Sequence, residues 1–511
     1  MATPSVVSEE LKQYSILSTH DFYNFYSGGS DFMYMILQEL KKDVYADNER
    51  LVFLDFTEGD NLAHKEFLKF LIELDIPTFF VLIITNQIKT LKFFKDNDIT
   101  AIFDNKETVV MPEDKKTFFN LDKACVTPWI NVEIRNSGEY SICCEYLRAV
   151  DEKPMNVQTH SLSEFINSPQ VNLIKKQMLS GEIVPGCSRC FEKEDLGYQS
   201  KRLRDNYVYR EKKNLIKFNG SNEIISLDIK LGYTCNFACR ICSERSSSLW
   251  HSQKNKHIHL FKDFKSSKNL AEWTKNDHSL FWQEIQALPD ITYLQFTGGE
   301  PLLIKQQEQI LDYYIENGKS TQINVHYNTN GSIYPAHLFS IAKNFKTIDI
   351  SFSIDNIGRK FEYERGGVWQ EVEKNIIRCI ENKPENVTLD MYPTISIFNV
   401  LSAYEIYAFG KKNGLNVVFN LLSFPSYFSV TELPDNVKTL IRSQLTNIGD
   451  QEFVLSILPV LEYMQGTKMS NNMDNFFEEV KKIDLLRKQD FRVTHSNIYD
   501  LIKENYHGKT I

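Results

Sequence analysis

Leu231-Gly232-Tyr233-Thr234-Cys235-Asn236-Phe237-Ala238-Cys239-Arg240-Ile241-Cys242 follows directly on an apolar run, Ile224-Ile225-Ser226-Leu227-Asp228-Ile229-Lys230. A strand that runs into a loop with cysteines at C-x3-C-x2-C spacing presents three thiols from a short, folded-back backbone. Thiolates are soft ligands that suit iron–sulfur clusters, copper or zinc. Three cysteines leave one iron of a cubane open to another ligand, whereas a structural zinc site closes with four donors. The next histidine, His251, lies nine residues on and has no partner at finger spacing. Three buried core thiols are the other structural alternative, since cysteine often behaves as a small hydrophobe.

A second apolar stretch, Ile291-Thr292-Tyr293-Leu294-Gln295-Phe296-Thr297, ends in Gly298-Gly299-Glu300-Pro301-Leu302. Two glycines let backbone approach a ligand closely, and a carboxylate beside them can accept from an ammonium. Alone, Gly-Gly-Glu-Pro reads as an ordinary turn. Together the two stretches resemble the cluster motif and the second-strand motif of the radical S-adenosylmethionine (SAM) superfamily. The resemblance implies that Cys235, Cys239 and Cys242 hold a [4Fe–4S] cluster whose fourth iron is chelated by the amino and carboxylate groups of SAM. Gly298, Gly299 and Glu300 would hold the SAM ammonium. One electron then cleaves SAM to methionine and a 5′-deoxyadenosyl radical, which abstracts a substrate hydrogen. No catalytic side chain beyond the cluster is assigned.

Residues 221–430 repeat strand and helix periodicity. Strands are expected at Ile224–Leu231, Ile291–Thr297, Gln322–Asn328, Thr347–Ile354, Val387–Thr394 and Asn416–Leu422, and helices at Leu280–Leu288, Lys305–Glu316, Pro335–Lys343, Trp369–Glu381 and Ala403–Asn413. Such an α/β series with right-handed crossovers argues for a parallel sheet, and its order resembles the superfamily's partial (βα)6, TIM-like barrel. Function in such barrels sits at the C-terminal ends of strands. There Asn330 lies in a polar turn that the resemblance places near SAM, or is a plain Asn-Gly turn. Ser353 and Asp355 alternate to one face and can bond a ribose hydroxyl, or belong to an amphipathic strand. Arg365 looks like the superfamily's arginine after strand four, which could pair with the methionyl carboxylate; a surface salt bridge is the alternative. The inserted stretch Ser243–Asn276 reads as a polar loop near the substrate opening, with His251, His257 and His259 solvated.

Residues 119–220 carry the other cysteine set. Val132–Ile134 and Tyr140–Ile142 read as a hairpin turning at Asn136-Ser137-Gly138. Cys125, Cys143, Cys187 and Cys190 suffice for a metal centre, with Cys144 on the opposite face of the strand or replacing Cys143. By spacing alone a four-cysteine zinc ribbon serves equally well. The Gly138–Cys143 spacing, with Glu194, Gly197, Ser200, Arg202 and Asn206, resembles the twitch/SPASM auxiliary-cluster domain, which implies an auxiliary [4Fe–4S] cluster. Here the segment precedes the barrel, whereas the commoner arrangement places it after.

Residues 1–118 alternate strands (Leu51–Phe56, Thr78–Thr85, Ala101–Phe103) with helices (Asp31–Tyr45, His64–Leu74, Ile88–Phe94), a small parallel α/β layer. It has no Gly-rich phosphate loop and no cobalamin signature, and a docking or shape-giving role is its plainest reading. A ligand edge would lie near Asp55–Glu58 and Asn86. Residues 431–511 read as helices at Val437–Leu445, Phe453–Tyr463, Asn475–Arg487 and Ile498–Glu504, covering the barrel or its opening. The formal net charge of −9 gives no support to a general nucleic-acid surface. Nine cysteines, mostly in short clusters, suit a reducing compartment. No secretion signal is read in Met1–Glu10, and the longest apolar run, Pro77–Thr85, is far short of a membrane span. The expectation is a cytoplasmic enzyme without a membrane partner, fed by a one-electron reductant such as flavodoxin or ferredoxin. The resemblance favours oxidative modification of a peptide or protein. A small-molecule substrate such as a sugar or nucleotide is the alternative, and a non-catalytic metal-binding scaffold the reading from another class.

Overall fold

The computed structural model describes residues 123–149, 152–195, 199–209, 224–262, 264, 272–275, 280–288, 290–466, 473–506 and 508, with strand backbones at 51–55, 80–84, 101–104 and 107–110. The chain divides into two compact units, residues 1–124 with 199–208, and residues 125–198 with 209–511.

In the first unit β1 (Leu51–Asp55), β2 (Phe80–Ile84), β3 (Ala101–Asp104) and β4 (Glu107–Val110) form one sheet in the order β1-β2-β4-β3. β1 and β2 are parallel, but β4 runs antiparallel to both β2 and β3. The expected all-parallel layer is therefore mixed. Asp104 pairs with Glu107 across a two-residue connection, which sends the chain straight back as a hairpin strand. The three helices expected here, and Glu58 and Asn86, lie outside the described residues.

The second unit is built on β5 (Asn131–Ile134), β6 (Tyr140–Ser141), β7 (Ser226–Ile229), β8 (Tyr293–Phe296), β9 (Asn324–Thr329), β10 (Thr347–Phe352), β11 (Val387–Met391), β12 (Thr394–Ile395), β13 (Asn416–Val417) and β14 (Asn420–Leu421). An eight-stranded sheet runs β13-β11-β10-β9-β8-β7-β5-β6, and a second sheet pairs β12 with β14. Every pairing except β5–β6 is parallel. Leu227, Ile229, Leu294, Phe296, Val325, Tyr327, Ile348 and Ile350 form its buried centre. The intervening helices fall at Leu280–Ala287, Gln306–Glu316, Ala336–Ile341, Trp369–Asn382 and Ala403–Lys412. Trp369–Asn382 shows the cause: Val372, Ile376 and Cys379 recur at helical spacing and are buried as one stripe.

The fifth and sixth expected strands are each broken in two. Pro393 lacks an N–H for the ladder, and the Tyr392 N–H donates back to Phe352 O (2.8 Å) before the chain re-pairs as β12. The cysteine-bearing hairpin joins the same sheet: β5 lies parallel to β7, and Gly138 takes a positive φ of 79° at the turn. Helices Asp435–Thr446, Gln451–Gln465, Met473–Arg487 and Ser496–Asn505 follow. Among the described residues no helix is long and apolar enough to cross a membrane.

Glu133 on β5 is fully buried and bonds Lys230 and Arg135, the latter at 3.3 Å. Burial alone would raise its pKa, but the charges and hydrogen bonds of Lys230 and Arg135 outweigh it and hold the carboxyl below its ordinary range. A depressed carboxyl contributes stability above the unfolded-state pKa, and loses it as pH falls through the folded value. Glu133→Gln leaves two cations without their shared anion and is expected to cost roughly 3–5 kcal/mol near neutral pH. Denaturant titrations should also show a shallower stability loss below pH 4.5 in the variant.

Candidate metal and cofactor site

Past β7 the chain leaves the sheet and runs through the three cysteines without regular structure. Its backbone is held by distant donors. Glu300 N–H donates to Thr234 O (2.8 Å), Ser248 Oγ to Cys235 O (3.1 Å), Ser247 Oγ to Phe237 O (2.5 Å) and Trp250 Nε1 to Cys239 O (2.7 Å). The insertion expected as a polar loop therefore contains a helix, Ser248–Lys256, capped by Ser247, whose first turn holds the cysteine loop.

Cys235, Cys239 and Cys242 line one cavity of about 1060 Å³ with Gly298, Gly299, Asn330, Ser353 and Arg365. Burial pushes the Cys235 thiol up to about 11 and the Cys242 thiol up to about 12, and each also feels its neighbours' charge. Cys239 is raised as well, by burial first, with Arg365 acting against it. Thiols raised in this way ionise readily only against a positive centre, which is the condition a metal cluster supplies. Among the described residues no three Cys, His, Asp or Glu side chains already stand together as metal ligands. The glycines fit a close approach. Gly298 and Gly299 have φ of 77° and 56°; a Cβ on Gly299 would lie 2.4 Å from Thr234 O, and one on Gly298 2.4 Å from Asn136 Oδ1.

The remaining expected SAM residues divide. Asn330 faces the cavity, with Nδ2 3.0 Å from Asn236 Oδ1 and 3.9 Å from Cys235 Sγ. Glu300 does not line it. Fully buried, its Oε1 accepts from Thr329 Oγ1 (2.8 Å) and Leu302 N (3.2 Å), and its Oε2 from Asn330 N (2.7 Å). It ties the end of β8 to the end of β9. Ser353 lines the cavity, but Asp355 accepts from Thr394 N (2.8 Å) and pairs with Arg365. Strand alternation predicts one face for both; β10 ends at Phe352, and Ile354 N–H donates to Phe352 O (3.1 Å), so the chain has already turned. Arg365 is in this buried pair, not a surface bridge, and its Nε is buried without a partner among the described residues.

The cavity's other wall was not legible as a site. Arg135, Asn136 and Ser137 from the β5–β6 turn, Lys230, and Glu244, Arg245 and His251 from the insertion line it. Asn136 Nδ2 donates to Arg245 O (2.9 Å), while its Oδ1 is buried without a partner among the described residues. Only the pairing of β5 with β7 brings this turn here.

Cys125, Cys143, Cys187 and Cys190 are all buried. Leu147 N–H donates to Gly186 O (2.8 Å), Lys193 pairs with Glu145 (2.8 Å), and Gly186 abuts the Tyr146 ring, joining the Cys143 segment to the Cys187–Cys190 turn. Cys125 Sγ lies 3.0 Å from Thr127 Oγ1. Cys144 is half-buried and close enough to Lys230 to act on its charge. Arg202 and Asn206 both donate to Ala124 O (3.0 Å each), the carbonyl that precedes Cys125.

Residues 229–400 match the family model of the Radical SAM superfamily. The radical SAM cyclopropyl synthase TigE of Paramaledivibacter caminithermalis is 23% identical over 259 residues, 49% of this chain and 52% of that protein. The chain thus spans about half the length of this curated relative. Native anSMEcpe with bound AdoMet is similar at a TM-score of 0.32 and 18% identity, over 43% of this chain and 58% of that one. Streptococcus suis SuiB bound to precursor peptide SuiA gives 0.29 and 13%, over 64% and 70%. TM-scores this low carry no argument about function. The family match supports a radical SAM superfamily domain over residues 229–400.

Burial raises the Glu300 carboxyl to about 7, against the pull of its three donors and Arg365. A raised carboxyl favours folding while protonated, and that contribution is lost as pH rises from the ordinary glutamate range through about 7. Glu300→Gln cannot accept from all three donors and is expected to cost about 1–3 kcal/mol. Chemical denaturation from pH 5 to pH 8 should also show a flatter profile in the variant.

Proposed function

From the premise that the chain is an enzyme of the radical SAM class, we propose that it binds a [4Fe–4S] cluster at Cys235, Cys239 and Cys242, cleaves SAM reductively and abstracts hydrogen from a peptide or protein substrate. One observation carries the reading: three thiols, two positive-φ glycines and a buried arginine converge on a single cavity at the strands' C-terminal ends. When bound, the cluster and SAM together supply a 5′-deoxyadenosyl radical on transfer of one electron, taken from an external flavodoxin- or ferredoxin-type donor.

The chain's own groups bind and orient. Arg365, fixed by Asp355, presents guanidinium N–H groups to the methionyl carboxylate. Gly298 and Gly299 open their backbone to the ammonium. Glu300 shapes the Asn330 turn, and the orphaned Asn136 Oδ1 beside Gly298 accepts from the ammonium in its place. Asn330 and Ser353 serve the nucleoside. The cavity lies at the upper end of small-ligand volumes, and Arg135, Glu139, Glu244 and Arg245 give its outer wall mixed charge suited to a polypeptide. The joined Cys143 and Cys187–Cys190 segments, with Cys125, support an auxiliary [4Fe–4S] cluster.

Anaerobic reconstitution tests both assignments. Two cubanes give about eight irons per chain, falling to about four when Cys235, Cys239 and Cys242 are all changed to Ala. With dithionite and SAM the wild type should release 5′-deoxyadenosine and the triple variant none. About four irons beside one zinc would make the auxiliary set a ribbon; iron in neither protein would overturn the radical reading. Separately, Asn136→Ala should weaken SAM binding roughly tenfold or more by equilibrium dialysis, with Asn136→Asp binding at least as tightly as wild type. Equal affinities in all three would remove Asn136 from the SAM site.

A further inference from the structure

The helix Met473–Arg487, expected over Asn475–Arg487 in a region covering the barrel or its opening, ends against the cysteine loop. Arg240, between Cys239 and Cys242, is buried. Its NH2 donates to Asp484 Oδ1 (2.5 Å) and Gln489 Oε1 (2.9 Å), its Nε to Tyr363 O (2.9 Å), and its guanidinium lies 3.5 Å from the centre of the Tyr363 ring. Asp484 thus answers the charge of Arg240, as Asp355 answers that of Arg365. Arg487, one turn further along the same helix, has no carboxylate partner among the described residues. Its NH2 donates to Ala238 O, its guanidinium lies 4.8 Å from the centre of the Trp250 ring, and its NH1 is buried without a partner. Trp250 is the residue that donates to Cys239 O. Burial, and then the neighbouring Arg240, lower the Arg487 pKa to about 10, so the group remains a cation at neutral pH.

We propose that Arg487 is a positioning residue that raises the reduction potential of the cluster held by Cys235, Cys239 and Cys242. The inference rests on the cluster assignment made above. Reduction adds one electron from an external low-potential donor, here dithionite, and makes the cluster one unit more negative; no bond breaks and no proton need follow. A half-buried cation beside Cys239, with no carboxylate in direct contact among the described residues and one buried nitrogen unpartnered, stabilises the more negative state. Its bond to Ala238 O also fixes the loop between the first two cysteines. A neutral donor could do the second task but not the first.

The test is an anaerobic redox titration of the full-length reconstituted protein. It follows the reduced-cluster EPR signal that disappears in the Cys235/Cys239/Cys242 triple variant, with iron content measured alongside. Arg487→Gln keeps a donor for Ala238 O and removes the charge. At the wild-type midpoint its ratio of reduced to oxidised cluster should fall about tenfold, equivalent to about 59 mV for a one-electron couple. Arg487→Lys should restore the ratio to near wild type. Asp484→Asn, which leaves Arg240 uncompensated, should move it the opposite way. An unchanged ratio in Arg487→Gln at equal iron content overturns the proposal. If that variant loads less iron, the ratio is read on the clusters that do form: a fall that Arg487→Lys restores supports the proposal, and an unchanged or higher ratio overturns it. Absence of the signal in wild type would fail the cluster assignment itself, and the proposal with it.

Discussion

The loop that brings Cys235, Cys239 and Cys242 to one cavity takes most of its carbonyls' donors from elsewhere, and several segments of the second unit supply them. Thr234, Cys235, Phe237, Ala238 and Cys239 each receive a donor from Glu300, Ser248, Ser247, Arg487 and Trp250 respectively. A buried carbonyl left unpaired costs free energy comparable to a lost hydrogen bond. The conformation that gathers the thiols is therefore sustained from outside the loop: by the end of β8, by the inserted helix, and by the C-terminal helix. These segments come from three separate stretches of the sequence and converge on this backbone.

The same economy governs the carboxylates. Glu300, Asp355 and Glu133 are all buried at strand ends, and each is committed to neighbours on adjacent strands or loops. None lines the cavity. What faces the cavity instead is a set of groups with unused capacity: Arg365 Nε, Asn136 Oδ1 and the backbone at Gly298–Gly299. Buried carboxyl groups here serve as anchors that aim other groups, since a polar group removed from water is tolerated where its hydrogen bonds are filled. This division separates Glu300 and Asp355, which shape the site, from Asn330 and Ser353, which face it.

Local periodicity was enough to locate most of the sheet and the helices packed on it, because the apolar positions recur at the spacing each element requires. Cys235, Cys239, Cys242, Gly298 and Gly299, which line one cavity, were singled out for a related reason, since the motifs that mark them depend on residue type and short spacing. The failures share a different cause. Asp355 was assigned to the face of Ser353 by alternation, which stops applying once β10 ends at Phe352. β4 was not among the expected elements, and only its hairpin pairing with β3 reveals it. Asn136, Trp250 and Arg487 act across 109, 11 and 249 residues to Arg245, Cys239 and Ala238. The two longer contacts are set by strand order and helix docking, to which windowed patterns are blind. Trp250 lies close in sequence, but its role needed the inserted helix to be seen.

Strand direction explains how a hairpin that precedes most of the parallel strands in sequence can line the cavity at their C-terminal ends. β5 adds to the open edge of β7 in parallel, so both strands point their C-terminal ends the same way. The turn after β5, with Arg135, Asn136 and Ser137, then falls beside the loop after β7 and above Gly298. Antiparallel addition would have covered the edge equally well, but would have sent that turn to the opposite end of the sheet. The Glu133 carboxylate reinforces this register, because its two cations come from β5's own exit and from the residue that follows β7. Chain order is consequently a poor guide to spatial order here. The cysteine-bearing hairpin comes first in sequence, yet its turn lines the same cavity as the three cysteines that follow it.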